Sequence, residues 1–392
     1  MLIVGVFIFV LLLAVLIGLV LLIRLFVFLF KRLRGRETIL ATKGIKKGAL
    51  GMLILVVLGI ILIAFSQLMA ATPKIAKENS IAELRKVQLN GRKEWVSIRG
   101  ENRNKPLLLF LAGGPGGSQL AATRYELAEL EKDFVVVNWE QPGSGKSYSA
   151  IPKKQLTPEI YVQDGTALVR SLLKEFRQEK VYLVGESWGS ALGIFMAKEQ
   201  PELYHAFMGT GQMVAFEETE KIDYALAMKL AKENEDQKIV DSLRKNGTPP
   251  YYGKSVTTKS AVYLNYLSQR MARNPEIQNP GFQTIRDLSA KEYGILDKVN
   301  YLRGILQTFN QVYPQLYEID LRKDHAKLDI PVYFLLGKHD LNAPRSLAED
   351  YYDKLAAPEK EIIWFEHSGH NPWINERERF AEVVQQIAEK TK

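Results

Sequence analysis

Two uncharged apolar runs dominate the first 71 positions of the chain. Leu2 to Ile23 holds 22 residues without a charge; Arg24 interrupts, and Leu25 to Phe30 extend the run. At about 1.5 Å of rise per helical residue, this length crosses a hydrocarbon core of roughly 30 Å. Ala49 to Ala71 is a second run of 23 uncharged residues, ending just before Pro73. The pattern predicts transmembrane helices over residues 2–30 and 49–71. A secretory signal is the competing reading of the first run. Such a signal has a shorter apolar region of about 7–15 residues, with positive charge before it and a small-residue cleavage site after it. None of these fits, so an uncleaved anchor is expected.

After residue 72 the pattern changes. Residues 72–80 read as a linker, and then short apolar runs alternate with longer helical ones. Pro106–Ala112, Phe134–Trp139, Val181–Val184, Pro331–Leu336 and Glu361–Phe365 have strand length. Continuous apolar runs of this kind indicate strands buried on both faces, as in a parallel sheet covered by helices. Pro158–Arg177 and Trp188–Lys198 have helical length and spacing. Arg85–Asn90 and Glu94–Ile98 flank Gly91-Arg92-Lys93, which predicts an antiparallel hairpin at the sheet edge. From about Phe216 to Lys323 the chain is long, polar and helical, with tyrosines but no strand run. A helical insertion capping the sheet's C-terminal edge, where ligands of such folds bind, is the simplest account. The fold class is therefore α/β, a mostly parallel sheet flanked by helices, preceded by two transmembrane helices. The domain plan is an anchor over 1–72 with a loop at 31–48, core over 73–215, cap over 216–325 and core again over 326–392.

Charge assigns an orientation. The loop at 31–48 carries Lys31, Arg32, Arg34, Arg36, Lys43, Lys46 and Lys47 against Glu37 alone. Short basic loops stay cytoplasmic, so the N-terminus and everything after Pro73 are expected outside, in a two-span cell-membrane protein with an extracytoplasmic catalytic domain. Residues 1–71 hold 8 of the 52 basic and 1 of the 44 acidic residues, leaving the remainder at +1 of the net +8. The basic character belongs to the anchor. The nearly neutral soluble part has no basic stripe with interleaved aromatics, which sets nucleic-acid binding aside. The chain has no cysteine, which removes disulfides, a thiolate nucleophile and Cys-ligated metals. No cofactor motif and no metal-ligand spacing such as H-E-x-x-H is present.

The chemistry centres on Gly185-Glu186-Ser187-Trp188-Gly189, directly after a strand and before a helix. In a G-x-S-x-G elbow the turn is so sharp that only glycine fits beside the serine, whose Oγ is left exposed. The base must be one of five histidines. In this architecture the order is Ser, then Asp or Glu after a late strand, then His after the last one. Asp340 and His370 occupy those places, with His367 the alternative base. One oxyanion donor is the backbone N–H of Trp188; the other is expected from the loop Gly113-Gly114-Pro115-Gly116-Gly117, at Gly114. A phosphate loop is excluded there because no Gly-Lys-Ser/Thr follows. Gly143–Ser147 resembles the end of such a loop, but Glu140 stands where its first glycine belongs.

Leu111–Gly117, Asn138–Ser147 and Gly185–Ser190, with Gly337–Asp340 and Ser368–His370, resemble in order and spacing the proline iminopeptidases of the α/β-hydrolase superfamily. The resemblance spans roughly residues 81–392. It implies the triad Ser187, His370 and Asp340, and a helical cap whose acidic groups hold a substrate's free N-terminus. Glu217, Glu218 and Glu220, which open the cap, are candidates for that amine contact. The family has His at the place of Ala112, Asp-Gln-Arg-Gly where Glu140–Gly143 stands, and Gly at Glu186; these departures leave the triad intact and bear on prolyl specificity, so the resemblance implies a prolyl-iminopeptidase-like aminopeptidase rather than a strict prolyl one. The expectation is a membrane-anchored serine hydrolase that releases N-terminal residues from short peptides. An esterase or other small-molecule hydrolase of the same fold, and a binding protein whose catalysis has lapsed, are the alternatives.

Overall fold

A computed structural model describes residues 2–36, 39–279 and 281–392. Glu37, the one acidic residue of the basic loop, lies outside the described residues. Two compact units emerge, Met1–Ala70 with Tyr293–Lys298, and Ala71–Glu292 with Val299–Lys392.

The first unit is built on two long helices, α1 (Leu2–Leu33) and α2 (Ile39–Leu68). Gly18 lies against Met52 and Gly48 against Leu21, the reversed order of an antiparallel pair. Small residues at such contacts let two apolar helices approach closely. Arg24, the charge inside the first run, donates from Nη1 to the Gly44 carbonyl at 2.8 Å. Phe9, Leu12, Leu22 and Phe26 are exposed, and both helices are long and apolar enough to cross a membrane. One boundary differs from expectation. The second helix begins at Ile39, so Lys43, Lys46 and Lys47 sit in its first turns rather than in a loop, because nothing in 39–48 breaks a helix that the apolar run below then extends.

The second unit holds an eight-stranded sheet in the order β1-β2-β4-β3-β5-β6-β7-β8. β1 (Ile81–Leu89) and β2 (Arg92–Gly100) form the antiparallel edge hairpin, closed by Asn90-Gly91 with both φ positive, at 44° and 85°. Two residues of that conformation make the tight turn whose twist suits a hairpin; the turn thus lies one residue before the Gly91–Lys93 reading. β2 also pairs antiparallel with β4 (Val135–Glu140). β3 (Leu107–Leu111), β5 (Val181–Glu186), β6 (Tyr204–Thr210), β7 (Val332–Gly337) and β8 (Lys360–Phe365) complete a parallel sheet with β4.

The continuous apolar runs are explained by the pleat. Leu107, Leu109 and Leu111 join the core on one face, Leu108 and Phe110 the core on the other, because successive side chains point to opposite sides and both sides are covered. The helices α3 (Leu120–Glu126), α4 (Pro158–Phe176) and α5 (Trp188–Glu199) lie between strands in the chain. Between β6 and β7 the described residues form no strand. They fold as α6 (Phe216–Glu233), α7 (Gln237–Asn246), α8 (Val256–Ala272), α9 (Thr284–Ser289) and further helical segments ending at Leu321–Asp324.

Candidate active site

Ser187 stands between the end of β5 and the start of α5, at φ 53° and ψ −119°. A positive φ at a residue with a side chain costs roughly 1–3 kcal/mol and persists only where the surroundings enforce it. Here they do. A Cβ at Gly185 would lie 2.2 Å from the Gly189 carbonyl oxygen, and one at Gly189 would lie 2.1 Å from that of Leu111. Ser187 N–H donates to the Thr210 carbonyl at 3.0 Å. Ser190 Oγ donates to the Ser187 carbonyl at 2.6 Å and accepts from Met213 N–H at 3.0 Å. The strain is held by β6 on one side and α5 on the other.

Asp340 follows β7, and its Oδ1 accepts the backbone N–H groups of Asn342 at 2.8 Å and Ala343 at 3.0 Å. His370 follows β8 in a loop tied down by Gly369 N–H to Asn375 Oδ1 at 3.0 Å and Ser368 Oγ to Glu376 Oε2 at 2.7 Å. Its Nδ1 lies 2.9 Å from Asp340 Oδ2 and 3.1 Å from Oδ1. His367, by contrast, is exposed, with Nδ1 3.1 Å from the Glu276 carbonyl. Of the two histidines, only His370 meets Asp340. His370 and Ser187 line one cavity of about 130 Å³, together with Gly114 and Trp188. Gln141 braces the loop beside them: its Nε2 donates to the Ala112 carbonyl at 2.9 Å, and its Oε1 accepts from Trp188 Nε1 at 3.0 Å.

Glu186, the departure beside Ser187, is buried within this site. Its Oε1 lies 3.7 Å from His370 Nε2. Gln119 Nε2 donates to its Oε2 at 2.9 Å. Burial pushes the Glu186 carboxyl up, against the charge of His370 and the hydrogen bonds of Gln119 and the Gly113 amide. For His370, burial disfavours the charged ring, but the charge and hydrogen bond of Asp340 and the charge of Glu186 outweigh it. Its pKa stands raised to about 9. The imidazole thus faces a carboxyl group at each ring nitrogen.

The cap acids separate by helix face. Phe216, Thr219, Glu220, Asp223, Ala227 and Ala231 form the buried face of α6. Glu220 accepts from Ser260 Oγ at 3.2 Å, from Tyr313 OH at 2.9 Å and from Tyr263 OH. Asp223 is fully buried, yet neither of its carboxyl oxygens has a hydrogen-bond partner, and it lines the cavity of Ser187 and His370. Burial first, then the charges of Glu220 and Asp340, push its carboxyl well above the usual range. Glu217 and Glu218 face elsewhere. Glu217 pairs with Lys221 at 2.5 Å and Glu218 with Arg322 at 2.5 Å, beside a separate surface depression that both line. The structure does not bring them to Ser187, because the helix turns positions 217 and 218 away from the face that carries 220 and 223. Asp223 was missed from the sequence; the apolar period Phe216, Thr219, Ala227 marks its face.

A family profile described as alpha/beta hydrolase fold matches residues 106–376. "Probable aminopeptidase YbaC" of Bacillus subtilis is 30% identical over 324 residues, 80% of this chain and 98% of that protein. The chain belongs to the α/β-hydrolase fold family. The "Proline iminopeptidase" of Lactobacillus delbrueckii subsp. lactis is 23% identical over 293 residues, 74% of this hydrolase and 92% of its own length. In fold, the hydrolase is similar to the solved proline iminopeptidase of Mycobacterium smegmatis, with a TM-score of 0.58 and 19% identity over 79% of this chain and 98% of that one. It is an enzyme of the hydrolase class. Among its described residues no three metal-ligating side chains come together.

Proposed function

We propose that this α/β hydrolase is a membrane-anchored serine aminopeptidase. The reading rests chiefly on one observation: a buried carboxyl without a hydrogen-bond partner, Asp223, shares a small cavity with Ser187 and His370. An unpaired buried carboxyl is costly unless a ligand completes it. A substrate's α-ammonium group is such a ligand, and fixing it there sets the first carbonyl of a peptide over Ser187. In this reading Glu220 holds the cap together through its three hydroxyl donors, and Asp223 holds the substrate.

The chemistry then follows from the neighbours. Ser187 Oγ attacks the carbonyl carbon as its proton passes to His370 Nε2, while Asp340 fixes the ring's tautomer and stabilises the imidazolium. Negative charge that develops on the carbonyl oxygen meets the Trp188 and Gly114 amides; one such donor is worth about 10²–10³ in rate. His370 returns the proton to the leaving nitrogen, the peptide departs, and an ester joins Ser187 to the first residue. Water, deprotonated by His370, attacks that ester and releases the free amino acid. In the same proposal α1 and α2 cross the bilayer, and the basic segment between them keeps its side cytoplasmic, which leaves the hydrolase on the outer face. External protease on intact cells is expected to remove the domain; full protection would reverse the topology.

The activity test uses the full chain in detergent micelles. Aminoacyl p-nitroanilides with a free α-amine, their N-acetylated forms and short-chain p-nitrophenyl esters are compared, with Ser187→Ala and His370→Ala as blanks. Cleavage of the free-amine anilides, lost in both variants and lowered about 100-fold by N-acetylation, is expected. Ester cleavage alone would make it an esterase. No turnover, with no phosphonate labelling of Ser187, would make it a lapsed enzyme.

A further inference from the structure

A peptide cut by this site has two halves to house. The cavity of Ser187 and Asp223, at about 130 Å³, is the smaller of two spaces that meet at His370. A second cavity of about 410 Å³ meets it at two shared residues, His370 and Asn342. It lies between α8 and the loop that carries His370. Its polar walls are amides and hydroxyls: Asn265, Ser268, Gln269, Asn342, Asn371 and Asn375. Among the described residues no Lys, Arg, Asp or Glu lines it, and His370 is the one titratable group there.

Two of these amides are unfinished. Asn342 is held in place, its Nδ2 donating to Ser268 Oγ at 3.0 Å and its backbone N–H to Asp340 Oδ1 at 2.8 Å, but its Oδ1 is buried without a partner. Asn371 Oδ1, next along the chain from His370, is also buried without a partner. Asn375 is complete, since its Oδ1 accepts from Gly369 N–H. The cavity therefore offers two unsatisfied acceptors, with His370 at its inner end as the titratable group. Neutral N–H donors match such a lining, and the main chain of a peptide presents them at regular spacing.

The direction of proton transfer decides which half enters. His370 gives its proton to the leaving nitrogen, so the departing half must lie on the His370 side, away from Asp223. We infer that the amide-lined cavity is the leaving-group subsite, and that the Asn342 and Asn371 side-chain oxygens accept main-chain N–H groups of the released peptide. This rests on the aminopeptidase reading and extends it. It also supplies a preference for peptides, since an ester's leaving oxygen brings no N–H to Asn342 and leaves that acceptor unpaired.

The test is a ratio. For one N-terminal residue, kcat/KM is measured on the p-nitroanilide and on peptides with one, two and three further residues, using the full chain in micelles. The wild type is expected to gain about tenfold with added residues. In Asn342→Ala and Asn371→Ala the peptide-to-anilide ratio is expected to fall about three- to tenfold each, the range of one hydrogen bond. Both substrates read the same active fraction, so any loss of folded enzyme cancels. Anilide cleavage with no gain from length, or variant ratios equal to wild type, overturns the subsite. Cleavage of neither substrate overturns the aminopeptidase reading beneath it.

Discussion

The sheet's C-terminal edge and the cap supply the site in opposite ways. At the edge, the backbone does the placing: Ser187 is forced by its glycines and by β6, Asp340 by two amides, and His370 by a loop tied to Asn375 and Glu376. The backbone groups that set these three residues are tied to their neighbours. In the cap the placing is done by side-chain packing on one helix face, and it leaves Asp223 unpaired in the cavity. On the proposed function the lesson is one of division: a rigid edge would carry the reaction common to the fold, and the cap what distinguishes one substrate from another.

That division breaks most visibly at α6. Asp223→Asn removes the charge with little change of shape. If the cap selects the amine, kcat/KM on free-amine substrates falls about 100-fold, as for loss of one partner of a buried charged pair, while the N-acetylated forms lose far less. Glu217→Gln and Glu218→Gln, on the outer face, change it by less than about twofold, because exposed ion pairs contribute little. Steady-state kinetics on the paired substrates decides. Equal losses on free and acetylated amines would return Asp223 to a structural role, and a large loss at Glu217 would place the amine outside the cavity.

The same division separates what could be read without coordinates. The strands β3, β4, β5, β7 and β8 were legible because burial on both faces makes an apolar run continuous. The sequential order of Ser187, Asp340 and His370 was legible because loops after such strands must converge at one edge. β6 was not. Tyr204-His-Ala-Phe-Met-Gly-Thr210 mixes His205, which stacks on Tyr182, and Gly209 with its apolar residues, so no run stands out. The cap was legible only as a helical region. Acidic residues at 217, 218, 220 and 223 look alike in composition, and only the helical period sends two of them inward. The amides of the second cavity carry no motif; they meet because α8 folds against the His370 loop.

Glu186 sharpens the comparison, since it is the one charge-bearing edge residue whose state the fold leaves open. Its Oε1, 3.7 Å from His370 Nε2, and Asp340 on the other nitrogen both favour the imidazolium, against burial, and the ring's pKa is raised to about 9. In the proposed reaction His370 accepts the Ser187 proton only when neutral. Activity is therefore lost as pH falls through that pKa and present above it, so the acid limb of kcat/KM lies at alkaline pH. Glu186→Gln keeps an acceptor for Gln119 and removes the negative charge. The imidazolium then loses one of its two stabilising neighbours, its pKa drops, and the acid limb moves to lower pH. A shift of one pH unit is tenfold in rate on the limb, and the effect is smaller to the extent that burial already keeps the Glu186 carboxyl protonated. The pH profile of Ser187 labelling by a phosphonate, which carries no amine to titrate, reads this directly. A limb moved down with an unchanged plateau makes Glu186 a positioning residue that sets the base's working range; an unmoved limb means the carboxyl is neutral beside the ring.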